Sequence, residues 1–211
     1  MDDLKRVIID NHELGERLGL KEEDVIRDGK VIMRDQVWTK EALTKAVAEC
    51  RQRAAGADIV ENRGHCASWA LAAMAYAVLP AVCYFEIGPG GMYKLTSTPF
   101  PVNAAGNDAV LKFDVREEGD KVWVTALSAD PNADAHGFRM EDFDQIVMPP
   151  IPSGKHVFLA GEVVNPIAVS MVLTYADISQ SVSIRFHREP DYVCSVSHCS
   201  QIEVGDRTPA E

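Results

Sequence analysis

The chain has 211 residues, of which 46% are hydrophobic and 25% are charged, and its formal net charge at pH 7 is −11. This length and composition allow a real hydrophobic core, divided over one large domain or two small ones. The excess of carboxylates repels a polyphosphate at long range, which excludes binding of duplex nucleic acid through a broad basic surface.

The expected compartment follows from two further features. The longest apolar stretch, at 67–85, is interrupted by polar residues and a proline, so it falls short of the roughly 20 apolar residues of a membrane span. The five cysteines form no Cys-x-x-Cys pair, and the first residues, "MDDLKRVIID", lack a signal-peptide pattern. We therefore expect a cytoplasmic protein with reduced thiols and no membrane contact.

The first hundred residues predict alternating strands and helices. The acidic run "KEED" at 21–24 predicts an exposed helix turn, and "TKEALTKAVAECRQRAAG" predicts a helix that begins after Thr39 as N-cap and ends at Gly56. A second helix is expected to begin at Ser68 as N-cap and to end before Pro80. The strands are expected at 5–10, 30–33, 57–60, 81–87 and 92–98.

A change in composition predicts a domain boundary near the middle of the chain. The segment "PFPVNAAGND" at 99–108 contains two prolines and a glycine, so we expect one domain at 1–100 and another at 101–211. The second opens with a hairpin at 109–128 that turns at "EEGD". Trp69 and Trp123 are expected in the core. The later elements are expected to be a short helix at 137–146, a strand at 156–161, a helix at 165–176, and strands at 181–187 and 191–198.

The two halves share an internal repeat. Each has a strand that ends at a glycine, Gly64 or Gly161, then a helix that ends in Tyr-Ala, and then two further strands. Self-similarity at a fixed spacing indicates repeated structural units. The sequence therefore predicts an α/β fold, with α+β left open, in which two strand–helix–strand–strand units form a pseudo-dimer.

Four segments are candidate ligand sites. Arg63, Gly64 and His65 precede a helix, where free backbone N–H groups and a guanidinium attract phosphate. Gly90, in the turn "GPGG", allows a ligand to approach the backbone closely. Arg185, His187 and Arg188 form a local basic group next to Asp191. Within this segment Asp191 is a candidate metal ligand and His187 a candidate acid or base.

The fourth segment, "YVCSVSHCSQIEVGD" at 192–206, places Ser197, His198 and Ser200 at a strand end, where they can donate to phosphate oxygens. Its counterpart in the first repeat supplies the hydroxyl of Ser97. A zinc site formed by Cys194, His198 and Cys199 is an alternative, although no fourth ligand follows at a suitable spacing.

The second half resembles a known family. Its hairpin "LKFDV…VWVTA", the approach "PPIPSGKHVFLAG", the helix ending in Tyr-Ala, and the endings Ser197–His198 and Gly205–Asp206 are similar to the ring nucleases of type III CRISPR systems in the Csx-three group. The resemblance covers roughly residues 107–206. The segment from Gly64 to Leu95, which includes "ENRGHCASW", resembles a diverged second copy.

This resemblance implies a ligand and an assembly. Members bind cyclic tetra-adenylate, a second messenger of antiviral defence, between stacked dimers, so we expect a homo-oligomer. Some members cleave the ring with manganese, using histidines on the helix. This chain departs from that pattern, since "NPIAVSMVLTYADIS" has no histidine and His65 precedes the other helix.

Several functions remain open from the sequence. The resemblance implies a cyclic oligoadenylate sponge or sensor, or else a slow ring nuclease in which His198 or His187 transfers protons and manganese is the cofactor. The alternative is a structural scaffold that binds a partner protein and has no nucleotide ligand.

Overall fold

A computed structural model describes residues 4–27, 29–87, 93–104, 109–129, 140–186 and 190–210. The chain has an α/β fold, as the sequence predicts. The helices are α1 (Asn11–Arg17), α2 (Lys40–Arg53), α3 (Ser68–Ala77) and α4 (Asn165–Ala176), with a 3₁₀ helix at Met140–Gln145. The strands are β1 (Arg6–Asp10), β2 (Lys21–Arg27), β3 (Lys30–Val37), β4 (Ile59–Arg63), β5 (Val82–Ile87), β6 (Tyr93–Ser97), β7 (Leu111–Glu118), β8 (Lys121–Ser128), β9 (His156–Gly161), β10 (Ser181–Phe186), β11 (Asp191–Ser197) and β12 (Arg207–Pro209).

The described strands form two large sheets and one hairpin. The first sheet has the order β1-β4-β5-β6, and the second has the order β12-β11-β10-β9-β8-β7. In the first sheet β1, β4 and β5 are parallel and β6 is antiparallel. In the second, β8, β9 and β10 are parallel and β11 is antiparallel. The third sheet is the antiparallel hairpin β2–β3.

The order of elements in the predicted repeat is present in both halves. β4, α3, β5 and β6 follow one another as β9, α4, β10 and β11 do, with the same strand directions. The registers also correspond, because Ile59 lies opposite Val82 in the first sheet and His156 lies opposite Ser181 in the second. Helices α3 and α4 each connect two neighbouring parallel strands, and such strands need a long crossover, which is usually a helix.

Helices α3 and α4 lie side by side and run in the same direction. At their beginnings the Ser68 hydroxyl donates to Asn165 Oδ1 at 2.6 Å, and at their ends the Tyr76 hydroxyl donates to Asp177 Oδ1 at 3.3 Å. Helix α3 also contacts β10 and β11 of the second sheet, while α4 contacts β6 of the first. The buried apolar residues of both halves therefore form one continuous cluster.

The first residues of the predicted boundary at 99–108 pack against the second half of the chain. The Phe100 N–H donates to Thr174 Oγ1 at 2.8 Å, and Met148 N–H donates to the Pro101 carbonyl at 2.9 Å. Residues 100–103 thus lie against the second half. Because the core is continuous and this segment is held, the halves 1–100 and 101–211 share one hydrophobic interior.

Two local predictions need correction, and one strand was not predicted. The run "KEED" at 21–24 begins β2 instead of a helix turn, because Asp24 and its neighbours pair with β3 across the hairpin. Ser68 is the first residue of α3 and its N-cap is Ala67, since the Ser68 hydroxyl is directed to Asn165. Strand β12 was not predicted. Thr39, by contrast, is the N-cap of α2 and accepts from Ala42 N–H at 3.2 Å.

Candidate functional site

The segment before α3 is held by ion pairs to the first sheet. The Arg63 guanidinium lies 3.2 Å from one carboxylate oxygen of Glu61, whose side chain is 3% exposed, and Arg6 lies 2.5 Å from the other oxygen. Gly64 has φ +78°, a conformation that residues with a Cβ rarely adopt. His65 Nδ1 lies 3.2 Å from Asp35 Oδ1 on the hairpin β2–β3. Each predicted polar side chain here has a partner within the chain.

Ser97 lies near the beginning of α4. Its hydroxyl is buried and donates to the Pro166 carbonyl at 2.9 Å. This bond joins the last residue of β6 to the first turn of α4, so Ser97 connects the two halves.

Arg185 and Asp191 lie at one end of the second sheet. Ser197 lies at the other end, because β10 and β11 are antiparallel and Ser181 is opposite Ser197. The Arg185 guanidinium is 5.4 Å from the ring centroid of Tyr192, and Asp191 Oδ2 is 3.9 Å from the Arg207 guanidinium. The structure thus separates Asp191 from the residues at the end of β11.

His198 makes contacts at the ends of both central helices. Its Nε2 lies 3.0 Å from the Ala176 carbonyl oxygen, at the end of α4, and 3.3 Å from the Tyr76 hydroxyl near the end of α3. The Ser197 hydroxyl donates to the carbonyls of Cys199 and Ile202 in the turn that follows, while Ser200 is exposed there. Phosphate contact and proton transfer by these residues stay predictions.

Three predicted site residues, Gly90, His187 and Arg188, lie outside the described residues. The described ones divide into two groups. Ser197, His198 and Ser200 are near the ends of α3 and α4. The others lie toward the beginnings of those helices or toward the corresponding end of the second sheet: Arg63, Gly64, His65, Ser97, Arg185 and Asp191.

The described residues do not assemble the predicted metal sites. Within the described ranges no three His, Cys, Asp or Glu side chains come together as metal ligands would. In the zinc alternative, the buried Cys194 thiol faces the Val196 carbonyl, and His198 bonds to Ala176 instead. Burial raises the pKa of the Cys194 thiol to about 12, which disfavours the thiolate that zinc needs.

A surface on the second sheet was not predicted from the sequence. Trp123, Phe158 and Tyr192 lie on the face that points away from α3 and α4. The Trp123 and Phe158 rings are stacked with centroids 5.5 Å apart, and Phe158 meets Tyr192 edge to face at 5.2 Å. We call these three residues, with Arg116 and Arg185, the aromatic–arginine surface.

Strand alternation could have revealed this surface. In β8 the buried residues Val122, Val124 and Ala126 alternate with the side chains between them, so Trp123 must lie on the opposite face. Trp123 therefore packs against the smaller core cluster of Phe158, Ala160 and Tyr192, whereas Trp69 is buried in the main core. Trp123 is only partly buried.

The aromatic–arginine surface borders a cavity of about 240 Å³. The Arg116 guanidinium carbon lies 4.1 Å from the Trp123 ring centroid, which places a cation over an aromatic face. Arg185 lies on the same side of the sheet, next to Tyr192. The cavity is lined by Asp114, Arg116, Trp123, Thr125 and Tyr192.

These groups can recognise a flat, anionic ligand. Aromatic faces and guanidinium planes stack on a planar base, and arginines donate to phosphate oxygens. The Asp114 carboxylate accepts hydrogen bonds and the Thr125 hydroxyl both donates and accepts, so together they can read amino or hydroxyl groups at the base edge or ribose. The protein carries this local pair of arginines in spite of its negative net charge.

Comparison with known proteins gives no family assignment. No protein-family model matches the chain, and no curated protein matches its sequence. Among the helices of the described residues, none has the length and apolar character needed to cross a membrane.

Proposed function

We propose that this protein binds a cyclic oligoadenylate, with cyclic tetra-adenylate as the first ligand to test. The observation that carries the proposal is the aromatic–arginine surface beside its cavity. The family resemblance of the second half supplies the cyclic and adenylate character of the ligand.

The surface matches the parts of an adenine nucleotide. The Trp123 ring lies between Phe158 and the Arg116 guanidinium, so an adenine base stacks on the side of that guanidinium that points away from Trp123. The Asp114 carboxylate accepts from the exocyclic amino group. Arg185, beside Tyr192, donates to a phosphate. Stacking of one base on an aromatic side chain is worth about 1–3 kcal/mol, and arginine adds cation–π contacts to such stacking, so the loss of this contact changes affinity measurably.

The cavity size indicates that one chain holds part of the ring. Its volume of about 240 Å³ is below the range of about 300–1,000 Å³ typical of pockets for drug-sized ligands. We therefore propose that two copies of the chain face each other with this surface and enclose the ligand. The similar order of elements in the two halves supports a pseudo-dimer within each chain.

Binding without efficient cleavage is the form of the proposal that we favour. Neither α3 nor α4 contains a histidine, although the resemblance implies helix histidines in members that cleave the ring. His198 already bonds to the Ala176 carbonyl and Tyr76. A sponge or sensor role needs only the binding surface.

Calorimetric titration with cyclic tetra-adenylate at physiological salt tests the proposal. We expect saturable binding with an affinity that decreases as the salt concentration increases, because arginines contact the phosphates. Absence of heat up to high micromolar ligand would contradict the proposal and favour a scaffold. Chromatography after incubation with manganese separates the remaining forms, since a sponge returns intact rings and a slow ring nuclease returns linear products.

A further inference from the structure

A second cavity, of about 340 Å³, lies against the hairpin β2–β3. Ala67 and Trp69 line it from the beginning of α3, and Arg207 lines it from β12, so it joins segments that are distant in the sequence. It is separate from the aromatic–arginine surface, with which it shares none of its lining residues. The hairpin contributes Glu23, Asp24, Val25, Asp35, Gln36, Val37 and Trp38.

Two carboxylates of this cavity lie where their negative charges repel each other. Glu23 and Asp35 lie directly opposite each other in the hairpin register, and like charges in that position destabilise a pair of strands. Arg34 lies 3.0 Å from Asp24, and His65 lies 3.2 Å from Asp35. Within the described part of the chain Glu23 has no ion-pair partner. A bound cation would relieve the repulsion.

A buried hydrogen-bond donor also lacks its acceptor. Trp38 is 4% exposed and lines the cavity, and no acceptor within the described residues reaches its indole N–H. An unpaired buried donor destabilises the folded chain, so such groups usually have a hydrogen-bond partner or a ligand. A ligand that supplies an oxygen acceptor would satisfy this donor in the same cavity that attracts a cation.

These observations define the ligand chemically. We infer that the cavity binds a small amine that also carries a carboxylate, that is, a basic amino acid or a close analogue. The ammonium group lies between Glu23 and Asp35, and the carboxylate accepts from Trp38 and Arg207. The indoles of Trp38 and Trp69 enclose the aliphatic part, and they attract cations as well.

Three probes of similar length separate the parts of this inference. L-lysine carries both groups, cadaverine keeps the amines without the carboxylate, and glutarate carries only carboxylates. Calorimetry and tryptophan fluorescence follow binding, in a Trp123→Phe background, so that the emission comes from Trp38 and Trp69. Lysine is expected to bind most tightly, cadaverine less tightly, and glutarate not at all.

Two variants assign the contacts. Glu23→Gln is expected to weaken the binding of both lysine and cadaverine about tenfold. Trp38→Phe keeps an aromatic ring but removes the indole N–H, so it is expected to weaken the binding of lysine only. Glu118→Gln, at an exposed position on a different hairpin, is the matched control and leaves binding unchanged. Unfolding curves verify that each variant is folded.

The inference is overturned if neither amine gives a saturable signal up to about 10 mM, a limit well above a millimolar dissociation constant. Binding of glutarate, equal binding by Glu23→Gln and the control, or equal affinity for lysine and cadaverine would overturn it as well. The expected order of affinities together with the two selective losses supports it.

Discussion

The Nε2 atom of His198 lies 3.3 Å from the hydroxyl oxygen of Tyr76, and their rings meet edge to face with centroids 5.8 Å apart. His198 follows the last strand of the second repeat, and Tyr76 is near the end of the helix of the first. This pair therefore connects the two halves at the end of the molecule where α3 and α4 finish. The bond from His198 to the Ala176 carbonyl adds a contact at the end of α4.

Replacement of His198 by Ala is expected to lower the free energy of unfolding by about 1–2 kcal/mol, because it removes a hydrogen bond and an aromatic contact. Chemical denaturation measures this loss. His12→Ala is the control, since His12 is exposed and its ion pairs with Glu16 and Glu22 contribute little. If His198→Ala reduces ring cleavage with unchanged stability, the predicted catalytic role is correct and the structural role is wrong.

The shared core predicts that the two halves depend on each other. Helix α3 of the first half covers β10 and β11, and α4 contacts β6. Residues 1–104 or 109–211 expressed alone would expose these apolar surfaces. We expect neither fragment to unfold cooperatively by near-ultraviolet circular dichroism, and we expect the two together to recover a cooperative transition. A cooperative transition of the second fragment alone would show that it is an independent domain.

The close approach of β8 and β9 predicts a sensitive glycine. Gly161 has φ +141°, and a Cβ there would lie 2.4 Å from the Ala126 carbonyl oxygen. Gly161→Ala is expected to lower the free energy of unfolding by more than about 2 kcal/mol, because the cost of the clash adds to that of the backbone strain. Gly119→Ala is the matched control, since Gly119 also has positive φ but no atom of the described residues lies within 4 Å of the position its Cβ would take. Equal losses in both variants would mean that the clash is relieved.

Thiol reactivity reports on the fold without a mutation in the core. Burial raises the pKa of Cys50, Cys83 and Cys194 to about 12, and Cys66 is also buried. Desolvation raises the pKa of the Cys199 thiol, but hydrogen bonds to the backbone of Ile202 and Gln201 offset it, so that pKa lies below its ordinary value. A maleimide at neutral pH is therefore expected to label one thiol per native chain.

Cys199→Ser should abolish this rapid labelling. Mass spectrometry of the labelled peptides identifies the site. Rapid labelling of any second cysteine in the folded protein would contradict the described burial.

The sequence predicted the elements with strong local signals. The helix from Asn165 and the hairpin around Gly119 follow from periodicity and turn chemistry, and the repeat predicted the order of both strand–helix–strand–strand units. These features depend on residues close together in the chain. Strand β2 was misread because acidic residues are depleted in strands, and only pairing with β3 stabilises it.

The candidate site was harder to predict because it depends on pairing between strands. Arg116, Trp123 and Phe158 are brought side by side by the registers β7–β8 and β8–β9, which no local pattern specifies. His198 looked like a free strand-end residue, yet the packing of α3 against the second sheet brings Tyr76 to it. Of the predicted ligand residues that the structure describes, only Arg185 belongs to the aromatic–arginine surface.

Calorimetric titration of the Arg185→Gln variant with cyclic tetra-adenylate tests the central claim most directly. Arg51→Gln, an exposed arginine on α2, is the matched control for the lost charge. We predict that Arg185→Gln weakens binding about tenfold or more, that Trp123→Ala does the same, and that Arg51→Gln binds like the native chain. Unchanged affinity in folded Arg185→Gln and Trp123→Ala would contradict the account.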